Sequence, residues 1–142
     1  MFDSKVSKSK AYAGEIKGLL VGNPIRLNRG LEGNWSFDIG ERFVVRTDIW
    51  RLVGAKRIIV TSEDDGHQFG LPAPLDAEAE ANKALSDYKV SDVDLDIGTG
   101  DLAIHVGDAL KLQVWTTSSG YESWQLYRDN EFFGAIGSEG LR

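Results

Sequence analysis

The stretch Tyr121-Glu122-Ser123-Trp124-Gln125-Leu126 has a shorter counterpart at Asp48-Ile49-Trp50-Arg51-Leu52. In both stretches an acidic residue, a Trp and a Leu occupy every second position. Alternate side chains of a β-strand point to the same face of a sheet, so each stretch predicts a strand that carries Trp and Leu into the core. Two strands with one pattern indicate that the chain consists of two related halves.

The residues around these two strands extend the match. An offset of 65 relates the apolar positions of two predicted helices, which are Tyr12, Ile16, Leu19 and Leu20 in the first and Ala77, Ala81, Ala84 and Leu85 in the second. An offset of 67 relates two hairpins, with Trp35, Phe37, Ile39, Gly40, Phe43 and Val45 matched by Leu102, Ile104, Val106, Gly107, Leu110 and Leu112. Any two meanders align once gaps are allowed, but the shared order of helix, Gly turn and Trp strand favours a true repeat of one helix and about four strands.

These patterns predict an α+β fold, a mostly antiparallel β meander in two pseudo-symmetric repeats, each with one helix packed on the sheet. We expect a flexible tail at 1–10 and a single domain at 11–142. Within the domain, the first repeat spans about 11–61, a connector 62–74 and the second repeat about 75–137. Pro74 and Asp76 are start signals for a helix from about Leu75 to Asp87. The pattern leaves open whether the halves form one continuous sheet, a sandwich or a barrel.

Composition excludes several classes of site. The 142 residues contain no Cys, which excludes disulfides, thiolate metal sites and a Cys nucleophile. No apolar run approaches the length of a membrane span, and a formal net charge of −6 disfavours binding to nucleic acid. We therefore expect a cytoplasmic protein with no cofactor and with neither nucleic acid nor a membrane as its partner.

Two sets of carboxylates are candidates for chemistry. Alternation places Asp48 and Glu122 beside core residues, where they form either an acid and base pair across a pseudo-two-fold axis or, as we favour, two strand-entrance residues that accept backbone or indole N–H bonds. Asp64, Asp65 and His67 offer ligands to a divalent metal, but the spacing lacks a second His and a solvated turn is the favoured interpretation.

The four Trp residues divide by strand alternation. Trp35, Trp50 and Trp124 fall on core positions, whereas Trp115 breaks the alternation of the strand before it. Trp115, Tyr121 and Tyr127 are therefore either an exposed aromatic patch of the kind enriched at interfaces or a second layer of core. These two alternatives are equally compatible with the pattern.

The second half also resembles a known family. The run from Gly100 to Leu112, followed by Tyr121-Glu122-Ser123-Trp124-Gln125-Leu126 and by Phe133-Gly134, is similar to a family of short bacterial proteins of unknown function. Members of that family usually end in a Gly-Gly pair, which here is Gly137-Ser138-Glu139-Gly140. The resemblance implies no catalytic residues. Some such small acidic proteins look like immunity proteins of bacterial toxin systems.

The sequence thus predicts a non-catalytic protein-binding module, an immunity-like inhibitor of a basic partner. Its predicted binding residues are Trp115, Tyr121, Glu122, Tyr127 and Asp48. Two alternatives remain open at this point. The first is a small enzyme that uses Asp48 and Glu122 or a metal site, and the second is a structural protein that self-associates as a homo-oligomer.

Overall fold

A computed structural model describes residues 13–30, 33–96, 98–117, 123–137 and 140–141. The predicted tail at 1–10 lies outside these ranges. Helix α1 covers 13–20 and α2 covers Ala77–Leu85. The strands are β1 (Ile25–Arg29), β2 (Trp35–Ile39), β3 (Phe43–Thr47), β4 (Trp50–Val53), β5 (Ile58–Thr61), β6 (Val90–Leu95), β7 (Leu102–Val106), β8 (Leu110–Val114), β9 (Trp124–Arg128), β10 (Glu131–Gly137) and β11 (Gly140–Leu141). The predicted α+β class is confirmed.

The strands form two antiparallel sheets, and each sheet combines strands from both halves. Sheet I has the order β1-β2-β3-β9-β10-β11, and sheet II has the order β5-β4-β8-β7-β6. In sheet I, the first-half strands β1 to β3 are followed by the last strands of the second half, β9 to β11. In sheet II, the second-half strands β6 to β8 are followed by the last strands of the first half, β4 and β5. The chain passes from one sheet to the other after β3 and again after β8. Among the described residues the first half supplies β1 to β5 and the second half supplies β6 to β11, where the sequence predicts about four strands for each half.

The strand register follows a pseudo-two-fold relation between the halves. In sheet I, Thr47 at the end of β3 pairs with Trp124 at the start of β9. In sheet II, Val114 at the end of β8 pairs with Trp50 at the start of β4. Thr47 and Val114 are 67 residues apart, the offset of the hairpins, and Trp50 and Trp124 are 74 residues apart, the offset between the two Trp strands. The repeat predicted from the sequence is therefore also a repeat of the hydrogen-bond register.

The two halves meet again at their first strands. Pro24 and Lys89, which are equivalent residues, form a bridge between the halves. Gly40 donates its N–H to the carbonyl of Pro24, and Gly107 donates to the carbonyl of Lys89. Both glycines have positive φ, 64° and 58° respectively. A Cβ on Gly107 would also lie 2.7 Å from a ring carbon of Tyr88. Glycine is therefore required at this junction for both conformation and space.

Alternate residues of the strands fill one continuous core between the sheets. Trp50 of sheet II contacts Trp35 and Phe37 of sheet I edge to face, with ring centroids 5.3 and 5.6 Å away. These contacts are the T-shaped arrangement that aromatic rings prefer. The prediction that Trp35, Trp50 and Trp124 are core residues is confirmed, because each is at most 4% exposed. The sheets therefore pack face to face around a shared aromatic centre.

Each helix is bound to the first strand of the other half. The side chain of Asn82 on α2 accepts a hydrogen bond from the N–H of Leu27 at 2.8 Å and donates one to its carbonyl at 2.9 Å. Because β1 is an edge strand, this amide satisfies backbone groups that are otherwise open to pairing. On the other side, Lys17 of α1 forms an ion pair with Asp92 of β6 at 2.9 Å.

Helix α2 is shorter than the sequence predicts. It begins after Asp76, whose carboxylate accepts the N–H of Ala79 as an N-cap, and ends at Leu85. Tyr88 lies beyond its end and is exposed. Within the described ranges, no helix is long and apolar enough to cross a membrane.

Candidate functional site

A groove lies where the chain leaves sheet I for sheet II. Thr47 is the only buried polar residue among the described core positions, and its hydroxyl reaches the carbonyls of Ile49 at 3.3 Å and Ser123 at 3.5 Å. The N–H of Trp115 donates to the same Ile49 carbonyl at 3.4 Å. The two crossover segments, after β3 and after β8, are therefore in contact. We call the neighbouring concavity the crossover groove.

The crossover groove has a volume of about 470 Å³ and a mixed polar lining. Its lining residues are Gly30, Asn34, Trp35, Ser36, Arg46, Thr47, Asp48, Ser123, Trp124 and Gln125. Arg46 and Asp48 bring opposite charges to it, while the two indoles are almost fully buried. The lining therefore offers hydrogen bonds and charge to a polar ligand and little aromatic surface for stacking.

Asp48 is an exposed residue of this groove and does not share the core face of β4. The alternation rule predicted that face, but β4 begins only at Trp50, and Asp48 lies in the bend that changes sheets. The antiparallel register of β3 and β9 places it beside Ser123, because Thr47, which precedes Asp48, pairs with Trp124, which follows Ser123. Glu122 and Tyr121 lie outside the described residues. The acid and base pair of Asp48 with Glu122 stays an alternative hypothesis to the favoured interpretation of two strand-entrance residues.

Tyr127 lies on the outer face of sheet I, next to the groove. The guanidinium carbon of Arg46 is 4.8 Å from the centre of the Tyr127 ring, and the Tyr127 hydroxyl donates to Gln125 at 3.0 Å. The Phe132 ring packs against Tyr127 edge to face, at a centroid distance of 6.0 Å. Arg46 thereby connects this aromatic pair with the charged lining of the groove.

Trp115 lies on the outer face of the other sheet. It is 37% exposed, and the guanidinium carbon of Arg51 is 4.6 Å from its ring centre. Arg51 in turn donates to the side chain of Gln113 at 2.6 Å. Trp115 and Tyr127 therefore pack on different arginines of different sheets, and the structure does not bring these two predicted binding residues together.

The connector places the proposed metal ligands in other roles. Asp64 accepts the N–H of Thr61, which closes a single 3-10 turn at Ser62–Asp64. Asp65 receives two hydrogen bonds from the guanidinium of Arg29, at 2.7 and 3.1 Å. The His67 ring stacks on Phe69 at a centroid distance of 5.5 Å. No group of three or more side chains in the described part of the chain could hold a metal ion.

Charge is divided very unevenly along the chain. Residues 1–61 contain 11 Lys and Arg and 6 Asp and Glu, which gives a net charge of +5. Residues 62–142 contain 5 Lys and Arg and 16 Asp and Glu, which gives a net charge of −11. The connector and α2, residues 62–87, contain 7 Asp and Glu and a single Lys. A count of charge per segment reveals this feature in the sequence, but the alternation of apolar residues does not.

The same segment also exposes large apolar side chains. Phe69 is 66% exposed, the highest value among the large apolar residues that the structure describes, and Leu71 is 44% exposed. They lie in the connector loop, which we define as residues 66–75. Gly66 donates to the carbonyl of Leu75, and Leu75 donates to the carbonyl of His67, both at 2.8 Å. These bonds close the loop at its base.

Arg29 of β1 binds the two acids that flank the connector loop. Its guanidinium contacts Asp65 at 2.7 Å and Asp76 at 2.9 Å. The hydrogen bonds from Arg29 lower the pKa of Asp65. The N–H of Ala79, followed by Arg29, lowers the pKa of Asp76. The same carboxylates raise the pKa of Arg29, which therefore stays charged. We call this arrangement the Arg29 clamp.

Replacing Arg29 by Gln is expected to reduce the free energy of unfolding by about 1 kcal/mol at neutral pH, since the clamp is charge-assisted but partly exposed. Both carboxyl pKa values are lower in the folded state, so the stabilisation is present above their unfolded pKa near about 4 and is lost as the pH falls through the folded values. Urea unfolding of both proteins at a series of pH values measures this difference.

The exposed pair of Arg42 and Asp129 is the matched control for the clamp. Its side chains are 54% and 55% exposed, and we expect Arg42→Gln to lower the free energy of unfolding by less than Arg29→Gln does, because solvent screens an exposed pair more strongly. The clamp would be contradicted if Arg29→Gln lowered the free energy of unfolding by the same amount at acidic pH as at neutral pH, because protonated carboxyl groups no longer pair with the guanidinium.

Comparison of the chain with protein-family models, with curated protein sequences and with solved structures gives no match.

Proposed function

We propose that this protein is a non-catalytic binding module whose partner is a basic protein. The observation that carries the proposal is the concentration of 7 acidic residues against 1 Lys in residues 62–87, beside the exposed Phe69 and Leu71 of the same segment. A surface of one charge sign accelerates association with a partner of the opposite sign and suppresses other partners.

An inhibitory role fits this proposal. The resemblance of the second half to small acidic proteins, some of them immunity-like, favours a protein that blocks its basic partner upon binding. The cytoplasm is the proposed location, because a chain without Cys gains nothing from an oxidising compartment.

The acids of the connector and α2 have a structural role as well. Glu78 and Glu80 lie in the first turn of α2, where negative side chains stabilise the helix dipole. Asp65 and Asp76 are neutralised in part by Arg29. The exposed carboxylates of Glu63, Glu80 and Asp87 take part in none of the ion pairs found among the described residues. These three carboxylates are therefore the groups of this segment that are most open to a partner.

The test is capture of proteins from lysate of the source cells on the immobilised protein at low and at high salt. We expect a basic protein that is retained at low salt and released when salt screens the charges. A variant with Glu63→Gln, Glu80→Gln and Asp87→Asn should retain much less of it.

The matched control removes three exposed charges elsewhere, with Glu41→Gln, Asp108→Asn and Glu131→Gln. It has the same net charge as the test variant, so it separates the effect of this surface from that of total charge. Equal loss of binding in both variants would show that only net charge matters. Failure of the wild-type protein to retain any basic protein would end the proposal.

A further inference from the structure

We infer that the connector loop, residues 66–75, is the docking element for the basic partner, and that Phe69 and Leu71 enter an apolar site on that partner. The inference rests on the proposed function and assigns it to one surface. It assigns the contact to the connector loop and not to the crossover groove, Trp115 or Tyr127.

The connector loop combines exposed apolar side chains with a hydrogen-bonded backbone. Phe69 and Leu71 are exposed although the loop is closed by hydrogen bonds at its base. The loop tip is also fixed, because the N–H of Leu71 donates to the carbonyl of Gln68 at 2.7 Å and the Gln68 side chain donates to the carbonyl of Leu71 at 2.8 Å. A loop held in this way loses little conformational entropy on binding. Large apolar side chains on such a loop are suited to act as anchors.

Acidic residues flank the connector loop on both sides in the sequence. Glu63, Asp64 and Asp65 precede the loop, and Asp76, Glu78 and Glu80 follow it, while Arg29 supplies the nearby positive charge of the clamp. An apolar centre with a charged rim is the usual anatomy of a protein interface. This rim repels nucleic acid, anionic lipid and an identical surface on a second copy. The occupant that remains is a protein surface with Lys or Arg around an apolar pocket.

The probe for the test is a phage-displayed library of random dodecapeptides, selected on the immobilised full-length protein. We expect the enriched peptides to combine Lys or Arg with apolar side chains. Their dissociation constants should rise by at least about 30-fold for Phe69→Ala/Leu71→Ala, the effect typical of interface anchors. Both residues are exposed, so the thermal unfolding of this variant should match that of the wild-type protein.

The control variant is Ile58→Ala/Phe132→Ala, which removes side chains of similar exposure, 49% and 55%, from other surfaces. It should bind the peptides as the wild-type protein does. Enriched peptides without net positive charge, or peptides that bind Phe69→Ala/Leu71→Ala unchanged, would overturn the inference. A loop-dependent dimer detected by mass in solution would also overturn it, because the occupant would then be a second copy of this chain.

The outcomes also separate this inference from the proposed function. If a basic protein from the lysate binds Phe69→Ala/Leu71→Ala as tightly as it binds the wild-type protein, the proposed function is supported and the assignment of the contact to the loop is wrong. If peptides bind through the loop but no basic protein is captured from the lysate, the loop is supported as a binding element and the proposed function is wrong.

Discussion

Residues 1–69 and residues 70–142, produced as separate chains, are each expected to remain unfolded alone and to assemble when mixed. The physical reason is the exchange of strands between halves. Without the second half, β3 loses its neighbour β9 and β4 loses its neighbour β8, while β1 loses the amide of Asn82 at its edge. Each fragment then exposes unpaired strand edges and half of the shared core.

Far-UV circular dichroism and amide NMR spectra of each fragment and of the mixture measure this effect. The cut falls between Phe69 and Gly70, in an exposed loop, so the assembled pair should give a spectrum close to that of the intact protein. A native-like spectrum from either fragment alone would contradict the exchange of strands. So would a mixture whose spectrum is the sum of the two separate spectra.

Replacing Trp50 by Ala is expected to lower the free energy of unfolding by about 3–5 kcal/mol, the range for large aromatic truncations in a core. Trp50 is 1% exposed and touches Trp35 and Phe37 of the opposite sheet. Its loss leaves a cavity at the point where the two sheets meet, and rigid neighbours on strands fill such a cavity only in part. Stability is marginal in most domains, so this change removes a large share of it.

Urea unfolding followed by circular dichroism gives the change for Trp50→Ala. Ile58→Ala is the control, because Ile58 lies on β5 with 49% of its surface exposed, and we expect it to change the free energy of unfolding by at most about 0.5 kcal/mol. A loss at Trp50 no larger than at Ile58 would mean that the two sheets do not share this contact.

Much of the fold is predictable from the sequence because alternation determines which face of a strand is buried. Trp35, Phe37 and Ile39 alternate with polar residues and are buried, as expected. Alternation does not predict which strands pair with each other, because the same pattern fits pairing within one half and pairing between halves. The exchange of β4 and β9 between the sheets follows from the crossovers after β3 and β8, which have no periodic signal.

The candidate site was harder to predict, for a related reason. Asp48 was expected to share a face with Trp50, but the chain changes sheets between them, so the alternation rule does not extend back to Asp48. An exposed patch of Trp115, Tyr121 and Tyr127 was one of two alternatives, because Trp115 breaks the alternation of its strand, yet Trp115 and Tyr127 pack on arginines of different sheets. The acidic connector is visible in a charge count, while the exposure of Phe69 requires the structure.

The most direct test of the account is hydrogen exchange of the protein with and without the basic protein captured from the source cells. Binding at the connector loop should slow exchange of the amides in residues 66–80, because the partner excludes water there and stabilises the closed loop. Exchange in residues 46–48 and 123–125 of the crossover groove should not change. Protection confined to the crossover groove, with unchanged exchange in the connector loop, would contradict the account.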